Sequence, residues 1–192
     1  GNKLAKYYNI DDLRLLAKKR VPQAVFDYAD GAAEDESTKE NNRSAFQKWK
    51  FIPDVLIDVS EVDTHTKVLE TDMPYPFALG PTAISYLFHH AGEPAVARAA
   101  SKRNFPSTLS SIASTNIEDY AESSNGSVWF QMYVWKNREI SHDFIKRCKA
   151  SNYKAIMLTV DVPVGGKRER DLRSGMTVPP QLTLASIIDA AF

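Results

Sequence analysis

The chain has 192 residues, 43% of them hydrophobic and 25% charged, which is the balance of a globular domain able to bury a core. Lys plus Arg and Asp plus Glu are equal at 24 each, so there is none of the basic excess that marks a nucleic-acid surface. No apolar run approaches the roughly 18 residues of a membrane span. A single cysteine, Cys148, leaves no internal disulfide and makes a reducing, cytoplasmic setting the default.

The first 50 residues read as helical. Asp11 or Asp12 can cap a helix with Leu13, Leu16 and Ala17 on one face. Pro22 suits the first turn of a second helix, apolar at Ala24, Val25 and Tyr28 and weakened by Gly31 near its end. Glu34 to Phe46 is charged and predicts a third. Val55 to Val59 and Lys67 to Leu69 then predict short strands. From Phe77 onward short apolar runs alternate with amphipathic segments. The runs are Phe77 to Leu79, Thr108 to Leu109, Val128 to Val134 and Ala155 to Val160. Between them lie the Ala-rich Glu93 to Lys102, a Thr115-x-x-Glu118 capping box, and a segment opened by Asn137 with Ile140, Phe144, Ile145 and Cys148 on one face.

Strand alternating with helix predicts an α/β fold of parallel βα units. A complete (β/α)8 barrel, or TIM barrel, takes about 250 residues. After the N-terminal helices and hairpin this chain has room for about the first four βα units. The expectation is therefore one truncated barrel domain over 1–192, with helices and hairpin in 1–75 and the first half of the barrel in 76–192. In such barrels the site lies at the C-terminal ends of the strands. Those ends here offer Pro81-Thr82-Ala83, Ser110-Ser111, Gln131 with Tyr133, and Thr159 with Asp161, each about one βα unit from the next. Ser and Thr also end strands simply because they make turns. Four hydrogen-bonding sets in step fit a barrel mouth lined for a flat heterocycle.

At this point the sequence resembles the FMN-dependent 2-hydroxy-acid dehydrogenases and oxidases. The matching stretches are VFDYADGAAEDE (25–36), GPTA (80–83), LSSIAS (109–114), WFQMYV (129–134) and LTVDVPVGGKRERD (158–171), in order and at the family's spacing. The resemblance implies FMN as cofactor and a small L-2-hydroxy acid of the lactate, glycolate or mandelate type as substrate. It implies that Pro81, Thr82 and Ala83 lie beside the reactive edge of the flavin, and that Ser110, Gln131 and Thr159 hydrogen-bond its ring. Tyr28, Tyr133 and Arg168 would hold the substrate, because phenol hydroxyls and an arginine fork suit a carboxylate. The plainer readings are that Tyr28 packs a helix on the barrel and that Arg168 belongs to a solvated charged loop. Cys148 reads as core, His89-His90 as surface, and no histidine spacing suggests a metal.

The family also needs a histidine base, an arginine beside it, a lysine near the flavin and a phosphate site, around a Ser-Asn-His-Gly-Gly-Arg-type motif. No such motif occurs here. No catalytic residue is therefore assigned in this chain, and the 192 residues alone are expected to be inactive. The alternative is a non-catalytic half-barrel that pairs with a complementary chain, since a half-barrel exposes strand edges. Another flavin barrel acting on a phosphate-bearing substrate fits the Tyr28, Tyr133 and Arg168 set less well. At full length a homo-oligomer is expected, with no nucleic-acid partner. Lys167, Arg168, Arg170 and Arg173, followed by the apolar Leu182 to Phe192, suggest peripheral contact with the inner face of a membrane.

Overall fold

The computed structural model describes residues 6–161 and 163–177. It divides into two compact units: Gly1–Asp54 with Val164–Phe192, and Val55–Pro163. The expected helix over Leu182 to Phe192 lies outside the described residues.

In the first unit, α1 (Ile10–Lys18) is capped by Asn9, whose side chain accepts from the Asp12 N–H. The cap expected at Asp11 or Asp12 thus falls earlier, and those two carboxylates sit in the first turn, where the helix dipole favours them. Helix α2 (Gln23–Asp30) follows Pro22, buries Val25 and Phe26, and ends at Gly31. The third expected helix is shorter than its charged run: α3 is Ser37–Ser44, continued by a 3-10 turn over Ala45–Lys48. After the loop from Val164, the short α7 (Glu169–Ser174) completes the described part of this unit. Gly166 is required there, because a Cβ would lie 2.7 Å from that of Ala33.

In the second unit, Val55–Val59 forms no strand, and its side chains are exposed. The hairpin is β1 (Thr66–Val68) against β2 (Thr71–Met73). The Thr71 hydroxyl ties it to Ser127 at 2.9 Å and accepts from the Trp129 indole N–H at 3.4 Å. A parallel sheet follows in the order β3 (Ser107–Ser110), β4 (Val128–Met132), β5 (Ala155–Leu158). The first expected barrel strand, Phe77 to Leu79, is reduced to a single parallel bridge from Leu79 to Ser107. Helices α4 (Gly92–Ser101), α5 (Ile117–Glu122) and α6 (Arg138–Ala150) connect these elements as expected.

Alternation along β4 explains the core. Val128, Phe130 and Met132 point to the helices and pack with Leu109, Ala97, Ile117, Tyr120 and Cys148. Burial pushes the Cys148 thiol up to about 12, so it is a core residue. Asn137 caps α6 through the Glu139 N–H, as expected. The capping box does not form. Asn116, not Thr115, caps α5, and Glu118 instead pairs both oxygens with Arg147 of α6 at 2.8 and 2.7 Å. That guanidinium holds the Glu118 carboxyl at about 2.

Candidate functional site

The other face of β4 builds the candidate site. Parallel register sets Ser110 beside Gln131 and Gln131 beside Met157, so Thr159, two residues on, faces the same side. Both Ser110 and Gln131 are buried. The Ser110 hydroxyl donates to Gln131 Oε1 at 3.0 Å and accepts from the Ile112 N–H at 3.2 Å. The Ser111 N–H donates to the same Oε1 at 3.3 Å. A backbone N–H is only a donor, so the atom it meets must be the amide oxygen. That fixes the orientation of Gln131 and aims Nε2 at Thr159 Oγ1, 2.6 Å away.

This leaves two neutral donors at the strand ends: the second Nε2–H of Gln131, and the Thr159 hydroxyl, whose oxygen is already accepting. The donor set fits a ring edge that gains electron density on reduction, as the N1–C2 edge of a flavin does. Ser110 spends its own proton on Gln131, so it orients the amide rather than reaching outward. The row was legible as residue types, but its internal order was not. Ser111 was unassigned from sequence, yet it supplies a backbone donor to Gln131, and its hydroxyl accepts from the Tyr133 N–H at 3.4 Å. Tyr133 lies just past β4 on the Gln131 side and is 37% exposed, so its ring can meet a ligand.

Pro81, Thr82 and Ala83 follow the Leu79 bridge, with the Thr82 hydroxyl 3.5 Å from that of Ser85. Next comes Ile84 in the left-handed conformation, φ 43° and ψ 48°. For a β-branched residue this is a real outlier, costing on the order of 1–3 kcal/mol. Glu93, in the first turn of α4, is 3% exposed. Its Oε1 accepts from the N–H groups of Ser85 and Ser114 at 2.8 and 2.9 Å, and its Oε2 from the Thr115 hydroxyl at 3.1 Å. Burial alone would push this carboxyl up, but those donors hold it below its ordinary value. Sequence reasoning missed Glu93, because an acidic residue opening a helix looks like ordinary dipole compensation.

The other candidates belong to the first unit. Arg168 caps α7 and donates to Asp171 Oδ2 at 2.6 Å and to the Tyr28 carbonyl oxygen, with its guanidinium 5.5 Å from the centre of the Tyr28 ring. Tyr28 and Arg168, 140 positions apart, are thus neighbours. Arg170 supports the same contact, reaching Asp30 at 3.0 Å and Glu36 at 2.7 Å. Asp30 also meets Arg14 and, at 3.7 Å, Lys39. The Arg14 guanidinium holds its carboxyl well below the carboxylate range. Lys167 and Arg173 both pair with Glu169. Each cation of this stretch therefore meets a carboxylate. Among the described residues no helix is long and apolar enough to cross a membrane, and no metal-binding cluster occurs.

Known proteins match most of this chain. Residues 17–192 match the model of a family described as FMN-dependent dehydrogenase. A putative L-lactate dehydrogenase of Mycobacterium tuberculosis is 42% identical over 98% of the chain and 46% of that protein. Glycolate oxidase 1 of Zea mays is 40% identical over 92% of the chain and 48% of its own length. Among solved structures, the monotopic membrane protein (S)-mandelate dehydrogenase superposes with a TM-score of 0.89 at 38% identity, covering 96% of this chain and 49% of the other. The chain spans about half the length of the relatives it matches. The parallel strands and their connecting helices are the first part of the (β/α)8 barrel of these enzymes, and the cofactor of the group is FMN. The chain belongs to the FMN-dependent dehydrogenase family.

Proposed function

We propose that this chain is the N-terminal part of a single barrel-domain enzyme that oxidises a small L-2-hydroxy acid to the 2-oxo acid. The observation that supports it most is the Ser110–Gln131–Thr159 row, a chain of neutral hydrogen bonds buried at Ser110 and Gln131, in which one Gln131 Nε2–H and the Thr159 hydroxyl proton are not used by the row itself. When bound, FMN supplies the two-electron acceptor. Gln131 and Thr159 would donate to its ring, Ser110 keeps the Gln131 amide in place, and the backbone of Pro81, Thr82 and Ala83 would lie beside its reactive edge. By family resemblance Tyr28, Tyr133 and Arg168 are the residues that take the substrate carboxylate. The stacking of Arg168 on Tyr28 and its bond to Asp171 pre-set the fork, so less rotamer freedom is lost on binding. The proton acceptor for the substrate hydroxyl is a histidine in the C-terminal half of the family's barrel, so residues 1–192 alone do not turn over. The edge strand β5, with Ile156, Met157 and Leu158 all exposed, supports continuation of the sheet by further strands. A non-catalytic half-barrel would show the same edge, and turnover decides between the two readings.

The test uses full-length protein. It should purify yellow with FMN, scatter light as an oligomer, and bleach anaerobically on addition of L-lactate, glycolate or (S)-mandelate. Tyr133→Phe and Arg168→Lys should each slow the bleaching about tenfold or more while FMN stays bound. Protein that holds FMN but is bleached by none of the three acids would overturn the substrate class. Wild-type rates in both variants would overturn the assignment of these two residues.

A further inference from the structure

The buried carboxylate of Glu93 touches no part of the strand-end row, yet it joins the two loops that flank it. Oε1 holds the N–H of Ser85, two residues beyond Pro81-Thr82-Ala83, and the N–H of Ser114, four residues beyond Ser110. Oε2 takes the Thr115 hydroxyl. The loops come from different strand ends and meet at this one side chain. A carboxylate is rarely this buried without a specific reason, and here all three of its partners lie in the two loops.

The backbone around it is constrained on both sides. Ile84, immediately before Ser85, is left-handed at φ 43°. Such a conformation persists only where the surroundings over-determine it, and the Glu93–Ser85 bond is the adjacent restraint. Gly92, immediately before Glu93, has φ +46° with the Tyr86 ring 2.7 Å from where a Cβ would sit. The loop therefore folds back over the start of α4 and leaves no side chain between them.

We propose that Glu93 is a positioning residue for the flavin: it sets the Pro81–Ala83 loop and the loop after Ser110 at the spacing the cofactor ring needs, without touching the ring. The proposal rests on the reading that these loops flank FMN. Its physical content is that one anionic acceptor replaces the loop-to-loop hydrogen bonds that two irregular segments cannot make for themselves.

The test is FMN binding by full-length apoprotein, followed by flavin fluorescence, together with the flavin midpoint potential of the reloaded protein. Glu93→Ala should weaken FMN binding on the order of tenfold and shift the potential. Glu93→Gln should restore binding to within about threefold, because its amide oxygen can still accept both N–H groups and its amide nitrogen can donate to Thr115 Oγ1. Thr115→Val, which removes one bond only, should give a smaller loss of affinity than Glu93→Ala. If Glu93→Ala does not fold, the Gln and Val variants still decide. Wild-type FMN affinity and potential in Glu93→Ala, or in Thr115→Val where the alanine variant fails to fold, overturn the proposal. So does a Gln variant as weak as the alanine variant. Wild-type protein that binds no FMN would instead sink the reading on which the proposal stands.

Discussion

The two regions that hold candidate site residues are held together by opposite physics. The strand-end row of the second unit is neutral, and buried at Ser110 and Gln131. Its bonds follow from parallel register, which places Ser110, Gln131 and Thr159 side by side whatever the solvent contains. The Tyr28–Arg168 contact of the first unit is part of a charged network near the surface. There Arg170, 36% exposed at its side chain, reaches Asp30, Glu36 and, more distantly, Asp27. Buried neutral bonds are costly to leave unmade and indifferent to salt. Exposed ion pairs are individually weak and screened by it. The two sets of candidate residues therefore respond to different perturbations.

Gln131→Leu should break the first region most severely. It leaves the Ser110 hydroxyl without its acceptor, at a cost of about 1–3 kcal/mol, while the Ser111 N–H keeps the Gln131 backbone oxygen at 2.9 Å, and it removes the amide donor to Thr159. Denaturant unfolding should show that loss equally at low and high salt, and FMN titration should show weakened binding. A loss that disappears in high salt would contradict the account of a neutral, buried row.

Arg170→Ala should have a smaller effect of the other kind. It leaves Arg168 in place but removes the pairs that hold its segment near α2, so we expect about 0.5–1 kcal/mol of lost stability and a raised KM for the hydroxy acid, with FMN affinity unchanged. The difference from wild type should shrink as ionic strength rises, since the intact network is then already screened. An unchanged KM would show that Arg170 does not support Arg168.

The smallest expected effect concerns membranes. The (S)-mandelate dehydrogenase with which this chain superposes is described as a monotopic membrane protein. In this chain Lys167, Arg168, Arg170 and Arg173 all meet carboxylates. Any attraction of the full-length protein to anionic vesicles should therefore be weak, and gone at high salt. Sedimentation with vesicles at low salt that leaves all the protein in the supernatant would overturn the expectation of peripheral membrane contact.

Much of the architecture is legible in the sequence. Alternation of apolar runs with amphipathic segments specifies parallel βα units, because strand and helix periods differ and each must bury one face. The four strand-end sets were visible as residue types at a steady interval. Local chemistry was less legible. Thr115-x-x-Glu118 spells a capping box, but Glu118 finds Arg147, 29 positions away, and Asn116 takes the cap. Val55–Val59 has strand composition but pairs with no strand among the described residues, and pairing is what makes a strand.

By itself the sequence determined which residues could sit at the strand ends, because alternation and spacing are properties of the chain. Only tertiary structure decided what those residues do to one another. It made Ser110 the holder of Gln131, set Arg168 on Tyr28 across 140 positions, and buried Glu93 between two loops. Each of these is a contact between segments far apart in sequence. Such a contact depends on register and loop path, and no local propensity encodes it.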